Sequence, residues 1–351
     1  MTDVNKSTVR SYVAPYELTD RTKDMLVVPN IWGLTQQLGI FTTESVSQET
    51  VTFEEITKTY GLLEDRIRGQ RATLGKDHTR KMYSFFIPHF PHDDYITPRD
   101  VRGKVAFGSG TGVKTDNVET LAAVRARKLE RIRMNHSATL EVARMHTIVT
   151  GTAYAPSGTV SYDWYAEFGK TRKVVDFDTA TPTTDMIAKV EEVIAYIQDN
   201  TGDGSGSGDI YGICSPEFFS AFIAHPTMKE AYKYYASGKQ ILRERLTASG
   251  LDARFREFVF GGVNLIEYRG TDINGKRFVP VGEAYFLPKS QGDEFVTYFA
   301  PAEKFDLVNT MGLEAYVWEY ADEKGEKITL ESETNFLNVL RKPQLVVKAT
   351  L

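Results

Sequence analysis

At 351 residues the chain is long enough to bury a substantial core and to divide into two or more lobes. Its 42 Lys and Arg face 47 Asp and Glu, a net charge of −5 that argues against a protein coating nucleic acid over its whole surface and leaves only a local basic face open. The single Cys214 excludes an internal disulfide and a cysteine-rich metal site, fits a reducing compartment and reads as a small buried hydrophobe, and no run of ~18 apolar residues is present to cross a membrane.

Residues 1–45 read as an N-terminal arm, with Pro15 and Pro29 interrupting short apolar runs and a helix expected around Ile31 to Leu38. The first residues carry acid early and lack an apolar h-region, so they do not read as a signal peptide, and a cytosol-like setting is expected. Such an arm packs on its own domain or drapes over a neighbour, and the sequence leaves both open. Over 46–97, Val51, Phe53 and Ile56 fall on one face of a strand and Thr52, Glu54 and Lys58 on the other; a second strand signal follows in MYSFFIPHF. That pattern predicts a long two-stranded hairpin with a wide charged tip, setting Arg66, Arg68, Arg71, Arg80 and Lys81 against Glu49, Glu54, Glu55, Glu64 and Asp65. A lone hairpin is marginal in water, and with no adjacent sheet pattern in view its expected support is another subunit.

After the linker PRDVRGKVAFGSGTGVKTD, Asn117 to Val149 holds neither proline nor glycine and is rich in good helix formers. Asp116 and Glu119 have capping-box spacing, and Gly151 supplies a stop. Such a helix would be about 45–50 Å long, more than a compact enzyme domain needs and suited to a flat or elongated body. Leu121, Val124, Leu129, Ile132, Leu140, Val142, Met145 and Ile148 make a broad apolar stripe. Arg125, Arg127, Lys128, Arg131, Arg133 and Arg144 crowd the other face against Glu119, Glu130 and Glu141. That face is either a solvated surface with i,i+4 pairs or an electropositive one turned to nucleic acid or an acidic neighbour.

GTAYAPSGTVSYDWYAEFGKTRKVVDF reads as strand, turn at Pro156–Gly158, strand, and a third strand in Arg172 to Phe177. A helix is expected from Thr184 to Gln198, a flexible glycine-rich loop over 201–209, and a central strand from Ile210 to Cys214. Ser215 caps and Pro216 opens the next helix, through Ile223, and further helical patches follow to Gly250. FREFVFGGVNLIEYRG and GKRFVPVGEAYFLP read as strands joined at Asn274–Gly275, EFVTYFAPA as another. Then come alternating strands with a turn at Lys324–Gly325, and a closing edge strand interrupted by Pro343. The expected class is α+β: a rod helix and two sheet-bearing lobes, with arm and hairpin in neither core.

No catalytic, cofactor-binding or metal residue emerges. Phe107 to Thr115 looks like a phosphate loop, but Val113 separates Gly112 from Lys114 and no βαβ train surrounds it. His89, His92, Asp93 and Asp94 in PHFPHDD are candidate metal ligands, read here as part of a proline-stiffened connector. His136 and His146 lie ten residues apart on the long helix, too far for one site, and Asp199, Asp203 and Asp209 do not space as a calcium loop.

The order of these segments resembles the major capsid proteins of tailed bacteriophages of the phage lambda type, with the fold first described for phage HK97. VTFEEI and SFFIPHFPHDDYITPRDVRG resemble that family's extended loop and its return, and the helix from Asn117 its spine helix. SYDWYAEFGKTRKVVDF is similar to the segment after the spine, and ICSPEFFSAFIAHP to the axial strand and helix. PVGEAYFLPKS with the stretch from YFAPAEKF to QLVV resembles the closing region. The resemblance implies an arm (1–45), an extended loop (46–97), a peripheral domain (98–180) with its spine (117–149), an axial domain (181–300) and C-terminal strands (301–351) returning to the body. It further implies a non-enzymatic head protein, with no cofactor. Hexamers and pentamers would form an icosahedral shell around double-stranded DNA, assembled in the host bacterial cytoplasm and matured by procapsid expansion. Separate scaffold, portal and decoration proteins are the implied partners, with room for non-specific contact with packaged DNA and none for a membrane. An encapsulin-like nanocompartment shell of the same fold is the alternative; a soluble metal-dependent enzyme is a third reading, resting on PHFPHDD alone.

Overall fold

The computed structural model describes residues 19–26, 33–57, 79–101, 121–201, 209–229, 233, 255–271, 275–289 and 294–351. In chain order the elements are β1 (Thr19–Asp20), α1 (Thr22–Leu26), α2 (Leu34–Leu38), β2 (Thr42–Ser45), β3 (Thr50–Thr57), β4 (Thr79–Phe86), β5 (His89–Ile96), α3 (Pro98–Val101) and α4 (Leu121–Thr150). They continue with α5 (Trp164–Glu167), β6 (Val174–Asp176), α6 (Met186–Thr201), β7 (Ile210–Cys214), α7 (Pro216–Ala224), β8 (Arg256–Phe260) and β9 (Val263–Glu267). β10 (Glu283–Pro288), β11 (Phe295–Phe299), β12 (Tyr316–Ala321), β13 (Ile328–Leu340) and β14 (Val347–Thr350) complete the chain. The phosphate-loop lookalike at 107–115, the helix start at Asp116, the hairpin tip and most of the glycine-rich loop lie outside the described residues.

Two six-stranded sheets carry the fold. The first runs β1-β12-β13-β11-β2, with β5 also on β13; the second runs β6-β14-β10-β7-β9-β8. β13 organises the first: its Ile328–Glu333 half pairs with β12, Ile328–Asn335 with β5, and Phe336–Leu340 with β11. The 30-residue α4 packs on β13 and β5. At its start Val124, Leu129 and Ile132 meet Ile96, Val317 and Leu330; near its end Met145 and Ile148 enter the largest core cluster, which joins parts of both sheets. Gly151 ends the helix at φ 79°, donating its N–H to Thr147 O as a left-handed cap requires.

Several expectations are corrected. The hairpin of β3 and β4 does have a home at its root. Val51 and Phe85 are buried in the main core, and Phe53 lies between Phe168 and Tyr298 with Arg341 over its ring. MYSFFIPHF is not one strand: β4 ends at Phe86, and PHFPHDD opens β5, a sheet strand where a connector was expected. Pro91 is tolerated there because β5 pairs only with β13 among the described strands, leaving its other side free of a ladder.

The second strand expected before Arg172 gives way to α5, because Asp163 accepts the Tyr165 N–H and caps a helical turn instead. FREFVFGGVNLIEYRG is itself a hairpin, β8–β9, turning at Gly261 and Gly262, whose φ values of 58° and 86° suit a two-residue turn. β14 is interior, between β6 and β10. Pro343 sits in a 3-10 turn ahead of it and costs the ladder nothing. Parts of the 1–45 stretch are integrated: β2 runs parallel to β11, β1 pairs with β12, and α1 and α2 lie on α4.

Candidate functional site

α4 is a rod that buries polar residues together with apolar ones, among them Arg133, His136, Glu141, Arg144 and Thr147. Near its start, Arg125 Nη2 lies 2.6 Å from Glu319 Oε1, while Arg21 Nε donates to Oε2 of the same carboxylate at 2.9 Å. The Glu319 side chain is fully buried, so it depends on both cations. One turn on, Asp94 of β5 accepts from Lys128 Nζ at 2.7 Å, Arg131 Nη2 at 2.6 Å and its neighbour's Tyr95 N–H at 2.8 Å. Burial pushes the Asp94 pKa up, but Lys128, Tyr95 and Arg131 together outweigh it and hold the carboxyl below its ordinary value. Arg133 is buried and donates to Glu314 at 2.8 Å.

Further along, His136 meets Ser332 of β13, Glu141 meets Thr35 and Tyr268, and Arg144 donates to Thr297, whose hydroxyl in turn donates to Asn338. At the far end Arg172 donates to Val149 O at 2.5 Å and Ile148 O at 2.8 Å, closing the helix's free carbonyls with a cation. Arg125, Lys128, Arg133 and Arg144 of the basic face therefore form an internal seam. A solvated surface fails for Arg133 and Arg144, which are buried, and an outward electropositive surface fails for Arg125 and Lys128, which answer buried carboxylates. Arg127 and Arg131 remain at the surface, the latter bound to Asp94. Arg21 and Arg172 were not singled out from sequence.

On the side of the first sheet away from α4, the segment 301–313 covers Tyr316 and Trp318 with Ala302 and Leu307. Lys304 pins it, reaching Glu331 at 2.9 Å and lying over the Trp318 ring. Gly312 donates to Val46 O at 2.9 Å, and a Cβ there would stand 2.3 Å from Phe299 O, so the backbone is seated with no room for a side chain. From this firmly held segment Phe305 projects 97% exposed, followed by exposed Val308, Met311 and Leu313. A cleft of about 630 Å³ separates it from the hairpin root at Ser47–Thr50. Exposed apolar side chains grouped on a segment held at Lys304 and Gly312 mark a candidate contact surface.

The PHFPHDD residues do not converge. Strand alternation sends His92 and Asp94 toward α4 and His89 and Asp93 the other way. His89 Nδ1 is 2.8 Å from Asn335 Oδ1, and His92 Nε2 is 3.0 Å from Asn135 Nδ2. Among the described residues no group of three His, Cys, Asp or Glu is placed to hold a metal, and no helix is long and apolar enough to cross a membrane. Cys214 is buried in β7, with its thiol pKa pushed up by that burial.

Comparison with known proteins agrees with this geometry. The profile of the family described as phage major capsid protein E matches residues 16–351. The major capsid protein of Pseudomonas phage KPP10 is 56% identical over 344 residues, spanning 95% of this chain and 96% of that one. The major capsid protein of Salmonella phage Felix O1 is 28% identical over 357 residues, spanning 94% and 95%. Among solved structures, the mature capsid of bacteriophage PhiM1 superposes with a TM-score of 0.51 at 12% identity, covering 91% of this chain and 87% of that one. The capsid of Ralstonia phage GP4 gives 0.53 at 11%, covering 90% and 87%; at such identities these two speak for the fold alone. With the family profile spanning nearly the whole sequence and more than half of all positions shared with one relative, the chain belongs to the phage major capsid protein E family.

Proposed function

We propose that this chain is the head-shell subunit of a tailed phage, assembling into hexamers and pentamers of an icosahedral capsid that encloses double-stranded DNA and matures by procapsid expansion. The observation that carries the reading is the end-to-end correspondence with the KPP10 major capsid protein. The exposed apolar projection at Phe305–Leu313 supports it, since a subunit that ends in a shell covers such surface with its neighbours. In this reading α4 is the spine and lies with the first sheet in the peripheral part, the second sheet is the axial part, and β3–β4 is the root of an extended loop reaching a neighbour. The 1–45 stretch is the arm, here partly folded on its own subunit. Scaffold, portal and decoration proteins are separate chains, contact with packaged DNA is non-specific, and assembly takes place in the bacterial cytoplasm.

The test is electron microscopy of the purified chain, alone and co-expressed with its phage's candidate scaffold. Closed particles of uniform diameter with five- and six-fold capsomers are expected. A persistent monomer under every scaffolded condition would overturn the reading.

A further inference from the structure

His136 is buried at the middle of α4, where the helix crosses β5 and β13. Its Nε2 lies 3.0 Å from Ser332 Oγ. The Ser332 hydroxyl commits its one proton to the His92 carbonyl oxygen, so toward His136 it can only accept. His136 is therefore the Nε2–H tautomer, and a second proton would have to go to Nδ1. The His92 ring stands edge-on with its centroid 6.1 Å away, its Nε2 held by the Asn135 amide.

The surroundings offer an imidazolium no anion. On α4 itself, Arg133 lies one turn earlier, buried and bound to Glu314. On β5, Asp94 is committed to Lys128 and Arg131, and Asp93 points to the other face. On β13, Glu331 and Glu333 flank Ser332 and point away from the helix, the first holding Lys304 and the second accepting from Asn335. Burial, then His92 and Arg133, push the His136 pKa down to about 3.

We propose that this crossing is a proton-operated release: in mildly acidic solution a proton on His136 unseats the middle of α4 from β5 and β13, while both ends of the helix stay fastened. Seated, the ring binds fewer protons than when released, so seating is fully stable above the ordinary histidine value and weakens as pH falls from there toward 3. One unit below that ordinary value, release becomes about tenfold easier, and two units below, about a hundredfold. The ends hold because Glu319 grips the start of the rod and Arg172 its last carbonyls. The device belongs to the single subunit, so a chain that formed no shells would leave it standing.

Hydrogen-exchange mass spectrometry of the full chain at pH 8 and about pH 5.5, expressed as protection against intrinsic rates, tests it. Residues 128–140 and 89–96 are expected to lose roughly tenfold in protection at the lower pH while β7 and β10 keep theirs. His136→Gln, which retains a donor for Ser332 and takes no proton, is expected to abolish the loss. Equal protection at the two pH values, or the same loss in His136→Gln, would overturn the proposal. Should that variant not fold, the wild type decides alone: loss confined to the crossing supports release, and loss spread evenly over the chain overturns it.

Discussion

Glu141, on α4, caps a helix to which it does not belong: its carboxylate accepts the Thr35 backbone N–H at 3.2 Å and the Thr35 hydroxyl besides. α2 is five residues long, and Gly33 at its own N-cap offers no side chain. A helix that short has almost no stability by itself, so its position is set by the long helix beneath it. Burial pushes the Glu141 pKa up, while Thr35, Arg144 and Tyr268 work to keep the charge. Glu141→Ala leaves buried donors unpaired and should cost about 2–4 kcal/mol in urea unfolding, with the amides of 34–41 losing exchange protection first. Thr35→Val keeps the backbone contact and should cost only about 1 kcal/mol.

Glu319 holds Arg21 and Arg125 at once. Glu319→Gln retains shape and removes the charge that both guanidiniums answer. A loss of roughly 2–4 kcal/mol is expected in chemical denaturation. Arg21→Ala alone should cost less, since Arg125 still neutralises the carboxylate.

Asp94 gives a pH dependence. Its pKa is held below the ordinary carboxylate value, so its contribution is present in full above that value and disappears as pH falls through the lowered one. Asp94→Asn should therefore be less stable than wild type at neutral pH by about 1–3 kcal/mol, and the gap should narrow at an acid pH below the ordinary carboxylate value. Parallel urea titrations at the two pH values measure this.

Phe305→Asp should leave the melting temperature of the subunit unchanged within about 1 °C, because the ring touches almost nothing in its own chain. Particle yield by sedimentation should fall at least tenfold, as loss of an interface anchor predicts. Unchanged yield would show that this projection takes no part in assembly.

Much of this was readable from sequence where the signal was local. Ser215 and Pro216 opened α7 as their chemistry dictates, with Ser215 accepting the Phe218 N–H. The run IYGIC became a wholly buried strand, and the stretch free of glycine and proline became α4. What misled was pairing over distance. Arg125 and Lys128 look like solvated residues until Glu319, 194 positions away, and Asp94 are found beneath them. A usable hint was present in AYVWEYA, where alternation puts Glu319 beside Val317 and Ala321 on the apolar side of β12. The double glycine at 261–262 was a turn signal left unread, whereas Gly275 does stand at a positive φ of 76° between the bridged Thr271 and Arg277, as its sequence suggests. Likewise Pro343 suggested a sheet margin only because its 3-10 turn was invisible.

The long helix is clamped at opposite ends to different bodies. Arg125 fixes one end to the first sheet, and Arg172, two residues before β6, fixes the other beside the second. A displacement imposed on either sheet is thus carried along a stiff strut to the other, with little slack at the fittings. A load on one sheet would be shared with the other through this member and through the core cluster that joins them.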